Sequence, residues 1–297
     1  MKKDKNIYAL GMFDGVHLGH QALLSACREL ALERGATPGV ITFSVHPESL
    51  VTGNAPHLIN ALEDRCDLLR QQGMEAVVTL AFDEALRNMP WQDFVAMLRD
   101  TYHAAGFVCG SDFRFGYRGE GTAALLQESC ESAGIPCRIV EQVEKKGIRV
   151  SSTYIRGLLE QGDMEGAADF LGHPHILSGK VQHGRQLGRT IGIPTANLHI
   201  PQGVIVPRFG VYACKARLAN GESRLAVTNV GNRPTVDGQT VTVEAWLPEF
   251  SGDLYGENLT LEFYSFLRPE QKFPDLDALR SEIQKNRLQA GEFFEKQ

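Results

Sequence analysis

The ten residues Gly11-Met12-Phe13-Asp14-Gly15-Val16-His17-Leu18-Gly19-His20 constrain the chain more than any other stretch, because they join a strand to a helix and place two imidazoles at the junction. Residues 7–10 before them read as a short strand. After them Leu23, Leu24, Cys27, Leu30 and Ala31 recur at helical spacing as far as Gly35. His17 and His20 are about one helical turn apart, so both rings should lie on one side of the helix start. The free backbone N–H groups and positive dipole end found there attract a phosphate, and Gly19 lets a ligand approach the backbone closely. Two histidines at this spacing also suit a surface pair or a metal site. Zinc is the poorer reading, since no cysteine or histidine cluster elsewhere completes a tetrahedral set at a recognisable spacing.

The surrounding pattern predicts an α/β domain. Strand-like runs at 7–10, 40–43, 76–82, 107–109 and 137–140 alternate with helix-like runs at 21–34, 62–72, 91–102 and 123–133. Such alternation builds a Rossmann-like parallel sheet with helices on both faces and ligands at the carboxyl ends of its strands. Three loops fall at that edge: the histidine loop, Phe43-Ser44-Val45-His46-Pro47, and Gly110-Ser111-Asp112-Phe113-Arg114-Phe115-Gly116. Singly, the last two read as turn chemistry and packing; three polar loops on one edge read as a site. Val150-Ser151-Ser152-Thr153-Tyr154-Ile155-Arg156 then precedes two short helices at 157–160 and 165–171. Its hydroxyls suit helix caps or, with Arg156, a phosphate clamp opposite the histidines.

Around Gly172-His173-Pro174-His175 helical periodicity gives way to short alternating strands, at 176–182, 210–217, 225–230, 240–247 and 259–266. A boundary between domains 1–172 and 173–297 is expected there, the second a closed antiparallel β-barrel. A terminal helix starts near Asp275 with Leu276, Leu279 and Ile283 as its buried stripe. Over residues 179–197, Gly179, Gly184, Gly188 and Gly192 recur among Lys180, Arg185 and Arg189 without the Gly-Lys-Ser/Thr of a Walker P-loop. Glycine turns leave N–H groups free for phosphate oxygens, and Thr195 and Asn197 after Pro194 offer neutral oxygens for Mg²⁺ beside a nucleotide. A flexible hairpin explains the glycines but not Pro-Thr-Ala-Asn. Glu244 interrupts an apolar run, sharing a strand face with Thr242 and Trp246 while Val243 and Ala245 take the other. It reads either as an outward edge residue or as a general base.

Composition narrows the partners. With 297 residues, 43% apolar and 22% charged, the chain is long enough for two cores. A net charge of −6 argues against a broad nucleic-acid surface and favours a small nucleotide. Six cysteines without a C-x-x-C pair read as free thiols in a reducing compartment. The apolar residues 7–13 are too few for a signal peptide, and no run is long enough to span a bilayer. The expectation is a cytoplasmic protein; nothing in the chain specifies an oligomeric state.

His-x-Gly-His after Phe-Asp-Gly resembles the nucleotidylyltransferase signature. Together with Gly-x-Asp-Phe-Arg-Phe-Gly, Ser-Ser-Thr-x-Ile-Arg, Gly-Arg-x-x-Gly-x-Pro-Thr-Ala-Asn, Asn-Val-Gly-x-Arg-Pro-Thr and Asp-Leu-Tyr-Gly, in that order, it resembles the bacterial bifunctional riboflavin kinase/FAD synthetases over nearly the whole chain. The resemblance implies an N-terminal domain making FAD from FMN and ATP, and a C-terminal barrel making FMN from riboflavin and ATP. It implies that His17 and His20 stabilise the ATP phosphates, with Gly11, Phe13, Asp14, Gly19, His46 and Asp112 around the nucleotide and flavin. Ser151, Ser152, Thr153 and Arg156 would clamp the leaving phosphates. In the barrel it implies nucleotide contacts at Gly179, Gly184, Gly188, Arg189 and Pro194, Mg²⁺ and ATP held by Thr195 and Asn197, and Glu244 as base for the ribityl 5′-hydroxyl. The chain departs from the family at Ser44-Val45, where Asp-Pro is usual, at Met12, and at Asn286, commonly Asp; the first bears on the efficiency of FAD synthesis. The alternatives are a kinase with a degenerate first domain, or a flavin sensor or carrier, which would need neither Glu244 nor paired histidines.

Overall fold

The computed structural model describes residues 5–48, 55–184, 188, 191–235 and 238–296. Its contacts divide the chain into two compact units, Met1–Leu58 with Arg65–Ser152, and Ile59–Asp64 with Thr153–Gln297.

In the first unit β1 (Asn6–Leu10) leads through the histidine loop into α1 (Leu18–Arg34), which ends on Gly35 in the left-handed region. The helix turns Leu24, Cys27, Leu30 and Ala31 inward, the spacing that its sequence shows. Next come β2 (Thr37–Phe43), α2 (Leu62–Gln71), β3 (Ala76–Leu80), a one-turn α3 (Glu84–Arg87), α4 (Trp91–Tyr102) and β4 (Ala104–Gly110). A small hairpin of β5 (Arg114–Phe115) and β6 (Gly121–Thr122) precedes α5 (Ala123–Ser132), β7 (Cys137–Val140) and a second hairpin, β8 (Glu144–Lys145) and β9 (Ile148–Arg149). The main sheet is parallel in the order β3-β2-β1-β4-β7. Strand order reverses at β1, so the crevice outside its carboxyl end, where Gly11–His17 begins, is the place where such sheets bind ligands. Tyr8, Ile41, Phe94, Leu98, Phe107 and Leu126 are among the buried residues that fill one side.

Beyond Ile59–Asp64, the second unit continues with α6 (Ser152–Gln161), whose first residue is counted with the first unit, and α7 (Met164–Leu171). The sequence places the first of these at 157–160; it begins five residues earlier, taking Ser152 and Thr153 into its first turn. Six strands follow: β10 (His175–Lys180), β11 (Thr195–Leu198), β12 (Gly210–Leu218), β13 (Ser223–Thr235), β14 (Gly238–Trp246) and β15 (Asn258–Arg268). They form one antiparallel sheet in the order β10-β15-β12-β13-β14-β11. It curls until its two edges approach, with Gln182 N–H donating to Asn197 O at 2.9 Å; that single bridge is the closure among the described residues. The final helix, α8 (Leu276–Glu295), is capped by Asp275, whose carboxylate accepts from Ala278 N–H. Its buried stripe keeps Ile283 from the expected set but is otherwise shifted. Leu276 is exposed, while Asn286 and Ala290 are buried and Ile283, Phe293 and Phe294 pack on Val211, Val227 and Trp246. The stripe slides toward the C-terminus because the apolar sheet surface lies there. All six cysteines are free.

Candidate active sites

In the first unit His17 is the N-cap of α1, and its Nδ1 accepts the backbone N–H of His20 at 3.3 Å. That bond places the proton of the neutral ring on Nε2, leaving an N–H donor. The three-residue spacing brings the rings into a stack, centroids 3.6 Å apart and 13° from parallel. A side chain at Gly19 would press on the His17 ring at 3.2 Å. His20 is held neutral: burial lowers its pKa well below the usual imidazole value, and the His17 and Arg65 charges push the same way. Its Nδ1 is buried with no hydrogen-bond partner among the described residues.

The loop carrying the pair is strained and pinned. Phe13 and Val16 have φ of 54° and 40°, with Gly15 between them at 83°, and positive φ at a β-branched residue is a true outlier. Gly11 N–H donates to Ile41 O at 3.2 Å, Thr42 Oγ1 to Met12 O at 2.8 Å, and Ser152 Oγ to Asp14 O at 2.9 Å. The Ser152 hydroxyl therefore positions the loop. Phe13 and Asp14 are buried, Ser151 is half-buried, and Thr153 and Arg156 lie on α6, counted with the second unit. His46 Nδ1 accepts the N–H of Glu48 at 3.2 Å. Asp112 is exposed and accepts from Arg149 Nη2 at 2.6 Å and Gln142 Nε2 at 3.4 Å.

The same sheet edge holds a cavity of about 520 Å³. Phe43, Phe82, Phe94, Phe115 and Tyr117 supply its rings, and Arg87, Arg114 and Arg118 its cations. Its size and apolar lining with few polar groups are those of a small-molecule site. Residues 82–88 are the part that the sequence reading missed; a single turn of helix after β3 gives no periodic signal.

In the second unit the decisive geometry is sheet register. Glu244 on β14 lies opposite Asn197 on β11 and opposite Asn229 on β13. Directly paired residues share a face, so Asn197, Glu244 and Asn229 form one polar row. Two residues along, Thr195, Trp246 and Val227 form the next row on that face. Asn229 Nδ2 donates to Glu270 at 3.3 Å, a carboxylate that the sequence did not single out. Asn197 of the row also lines a cleft, together with Gly184, Gly188, Pro194, Thr195, Asp253 and Tyr255; β14 contributes Ala245 to that lining and not Glu244. A Cβ on Gly184 would meet the Asn197 side chain at 2.6 Å, so a larger residue there would displace that amide. Gly179 sits within β10 opposite Leu259. Arg189 lies outside the described residues.

A parallel-sheet unit with a histidine pair at its switch point, followed by an antiparallel curled sheet whose Asn197 belongs both to a row with Glu244 and to a glycine-lined cleft, defines a two-centre nucleotide-using transferase. The FAD synthetase family model matches residues 1–154 and the riboflavin kinase model residues 171–294. The chain belongs to the bifunctional riboflavin kinase/FMN adenylyltransferase family. The proteins of that name from Bacillus subtilis and Escherichia coli K12 are each 36% identical to it, over 98% and 97% of this chain and 93% and 92% of theirs. A crystal structure from Streptococcus pneumoniae, described as a macrolide-efflux protein, superposes with a TM-score of 0.84 at 29% identity, covering 96% of this chain and 93% of that one. That description is the other protein's; no helix among the described residues here is long and apolar enough to cross a membrane.

Proposed function

We propose that the chain makes FAD from riboflavin in two ATP-dependent steps, the kinase step in the half after about residue 172 and the adenylyl transfer in the half before it. The observation that carries the second step is the stacked His17–His20 pair, whose committed Nδ1 leaves an Nε2 donor at the switch point of a parallel sheet. There FMN phosphate oxygen attacks the α-phosphorus of ATP, an O–P bond forms, and the bond to pyrophosphate breaks. The imidazoles stabilise charge on the phosphates, with Ser151 assigned to the leaving group. The 520 Å³ aromatic cavity suits a tricyclic flavin, its arginines a flavin phosphate.

In the second unit the riboflavin 5′-hydroxyl attacks the γ-phosphorus, Glu244 takes its proton, and ADP leaves. Asn197 and Asn229, paired with Glu244 on either side, orient the carboxylate. Thr195 hydroxyl and Asn197 amide oxygens are hard neutral donors of the kind Mg²⁺ takes beside ATP phosphates, and the closeness of Asn197 to Gly184 puts them against the glycine-lined cleft. The ion, held there, would neutralise phosphate charge. No group of three His, Cys, Asp or Glu among the described residues forms a metal cage, which fits a metal shared with the nucleotide. Both reactions rest on alignment and charge stabilisation.

The test is one incubation with riboflavin and Mg-ATP followed by chromatography of the flavins. FMN should appear first and FAD after it. FMN alone would leave a kinase with a silent first domain, and unchanged riboflavin would leave a flavin-binding protein.

A further inference from the structure

Arg65 has no part in the chemistry above, yet it heads the largest fully buried side chains, with 0% of its surface exposed. Burying a guanidinium is costly unless it is well paired, and an apolar residue of similar volume would fill the space more cheaply. The guanidinium is instead placed at a junction. Nη2 donates to the carbonyl of Phe43, the last residue of β2 and a wall of the aromatic cavity. Nη1 contacts Met12 Sδ at 3.8 Å in the histidine loop. Asp14 of the same loop supplies the charge that favours its ionised form against burial, and its Nε has no partner among the described residues.

We propose that Arg65 is a positioning residue for adenylyl transfer, tying the Met12–Asp14 loop to the end of β2 and standing as a fixed buried cation behind the His17–His20 pair. This rests on the assignment of that pair to the ATP phosphates. Two consequences follow from the contacts. The loop that bears the histidines and the strand end that walls the cavity are held by one rigid planar group, so nucleotide and flavin subsites keep a fixed relation. The groups facing His20 are the His17 ring, the Phe13 ring at 5.2 Å and Arg65, with Asp14 next to Arg65. Burial first, then the His17 ring and this permanent cation, oppose protonation of His20, so the site presents a neutral ring.

Arg65→Met and Arg65→Lys in the full chain test this, with FAD formation from FMN, riboflavin phosphorylation and ¹⁵N-histidine NMR measured on each. For Arg65→Met the kcat of FAD formation should fall about tenfold or more, with a smaller change in KM, the scale of a displaced reacting group. His20 should titrate at higher pH than in the wild type, and riboflavin phosphorylation should be unaffected. For Arg65→Lys the charge stays but the two-pronged contact is lost, so His20 should titrate as before while kcat drops severalfold. A Met variant with wild-type kcat, or with an unmoved His20 titration, overturns the proposal. So do equal losses in the two variants with His20 unmoved in both. Should the Met variant lose its native histidine resonances, the Lys variant decides: wild-type kcat overturns the proposal, and a severalfold loss with His20 unmoved supports it. His20→Ala run alongside separates the two levels, since retained FAD synthesis in that variant would sink the site assignment itself.

Discussion

Two fragments that differ by two helices test how the second unit is built. One begins at Ser152 and keeps α6 and α7; the other begins at His173 and lacks them. In α7, Met164, Phe170 and Leu171 are 1%, 4% and 0% exposed, and the helix is tied to the sheet by Glu165, which accepts from Ser265 Oγ at 2.9 Å. At about 1.5–3 kcal/mol for each fully buried large apolar side chain, losing these three removes roughly 5–9 kcal/mol. A domain of this size has about 5–15 kcal/mol in total, so the shorter fragment should be largely unfolded at 25 °C. The fragment from Ser152 should unfold cooperatively in urea and convert riboflavin to FMN. Both fragments lack Ile59–Asp64, whose Asn60 Nδ2 reaches Ile176 O at 3.5 Å and whose Asp64 accepts from Ser178 N–H at 3.2 Å, so even the longer one should melt below the full chain. Equal urea midpoints for the two fragments would refute the burial reasoning. FAD formation from FMN by either would refute the assignment of adenylyl transfer to the histidine pair, which neither contains.

Three further outcomes are expected. His20→Ala should slow FAD formation by on the order of 10²-fold while FMN formation persists, the usual loss when a transition-state donor is removed; a flavin chromatogram read at fixed times reports both. Glu244→Gln should keep riboflavin binding and lower its phosphorylation by roughly 10²–10⁴-fold, with FAD still made from supplied FMN; comparable losses in both rates would point to misfolding instead. His175, buried against Phe263, is pushed down from 6.5 to about 3 by burial first and the His173 charge second. It stays neutral in the native state and takes up a proton on unfolding below pH 6.5, so the stability it allows is lost as pH falls from 6.5 toward 3. At pH 5 the loss is about 2 kcal/mol, and His175→Leu should show a correspondingly smaller drop in urea midpoint between pH 7 and pH 5. An unchanged pH slope would show that other groups dominate.

The strand and helix order of the first unit was legible because each element carries its own period: α1 shows Leu24, Cys27, Leu30 and Ala31 on one face, and β1 and β2 are short apolar runs. Long-range facts were less so. β11 is four residues after a glycine-rich loop, too short to alternate visibly, yet it supplies Asn197 opposite Glu244. Asn229 stood in a noticed motif without a role, because register between strands is set by pairing that no local pattern displays. Arg65 sits in a charged stretch, Leu-Glu-Asp-Arg-Cys-Asp, that reads as a solvated helix face; only the packing shows it inside. Leu276 erred the other way, its apolar character outweighed by its place in the first turn of α8, where it stays exposed.

The two centres reach alignment by opposite means. The histidine loop holds Phe13 and Val16 at positive φ, each at a cost of order 1–3 kcal/mol, and such a loop persists only when its surroundings over-determine it. Thr42, Ser152 and Arg65 do that from three separate elements, so the imidazoles stand in place without substrate. In the second unit the proposed base, Glu244, is fixed by sheet register, with no residue at positive φ in the Asn197–Glu244–Asn229 row, while the cleft proposed for the nucleotide is lined by glycines, Gly184 and Gly188 among them, whose backbone can follow a ligand. Loss of one tie should therefore degrade adenylyl transfer through geometry, whereas loss in the kinase row should act through the chemistry of Glu244 itself. That difference is why the Arg65 variants are read by kcat and histidine titration, and the Glu244 variant by rate at retained binding.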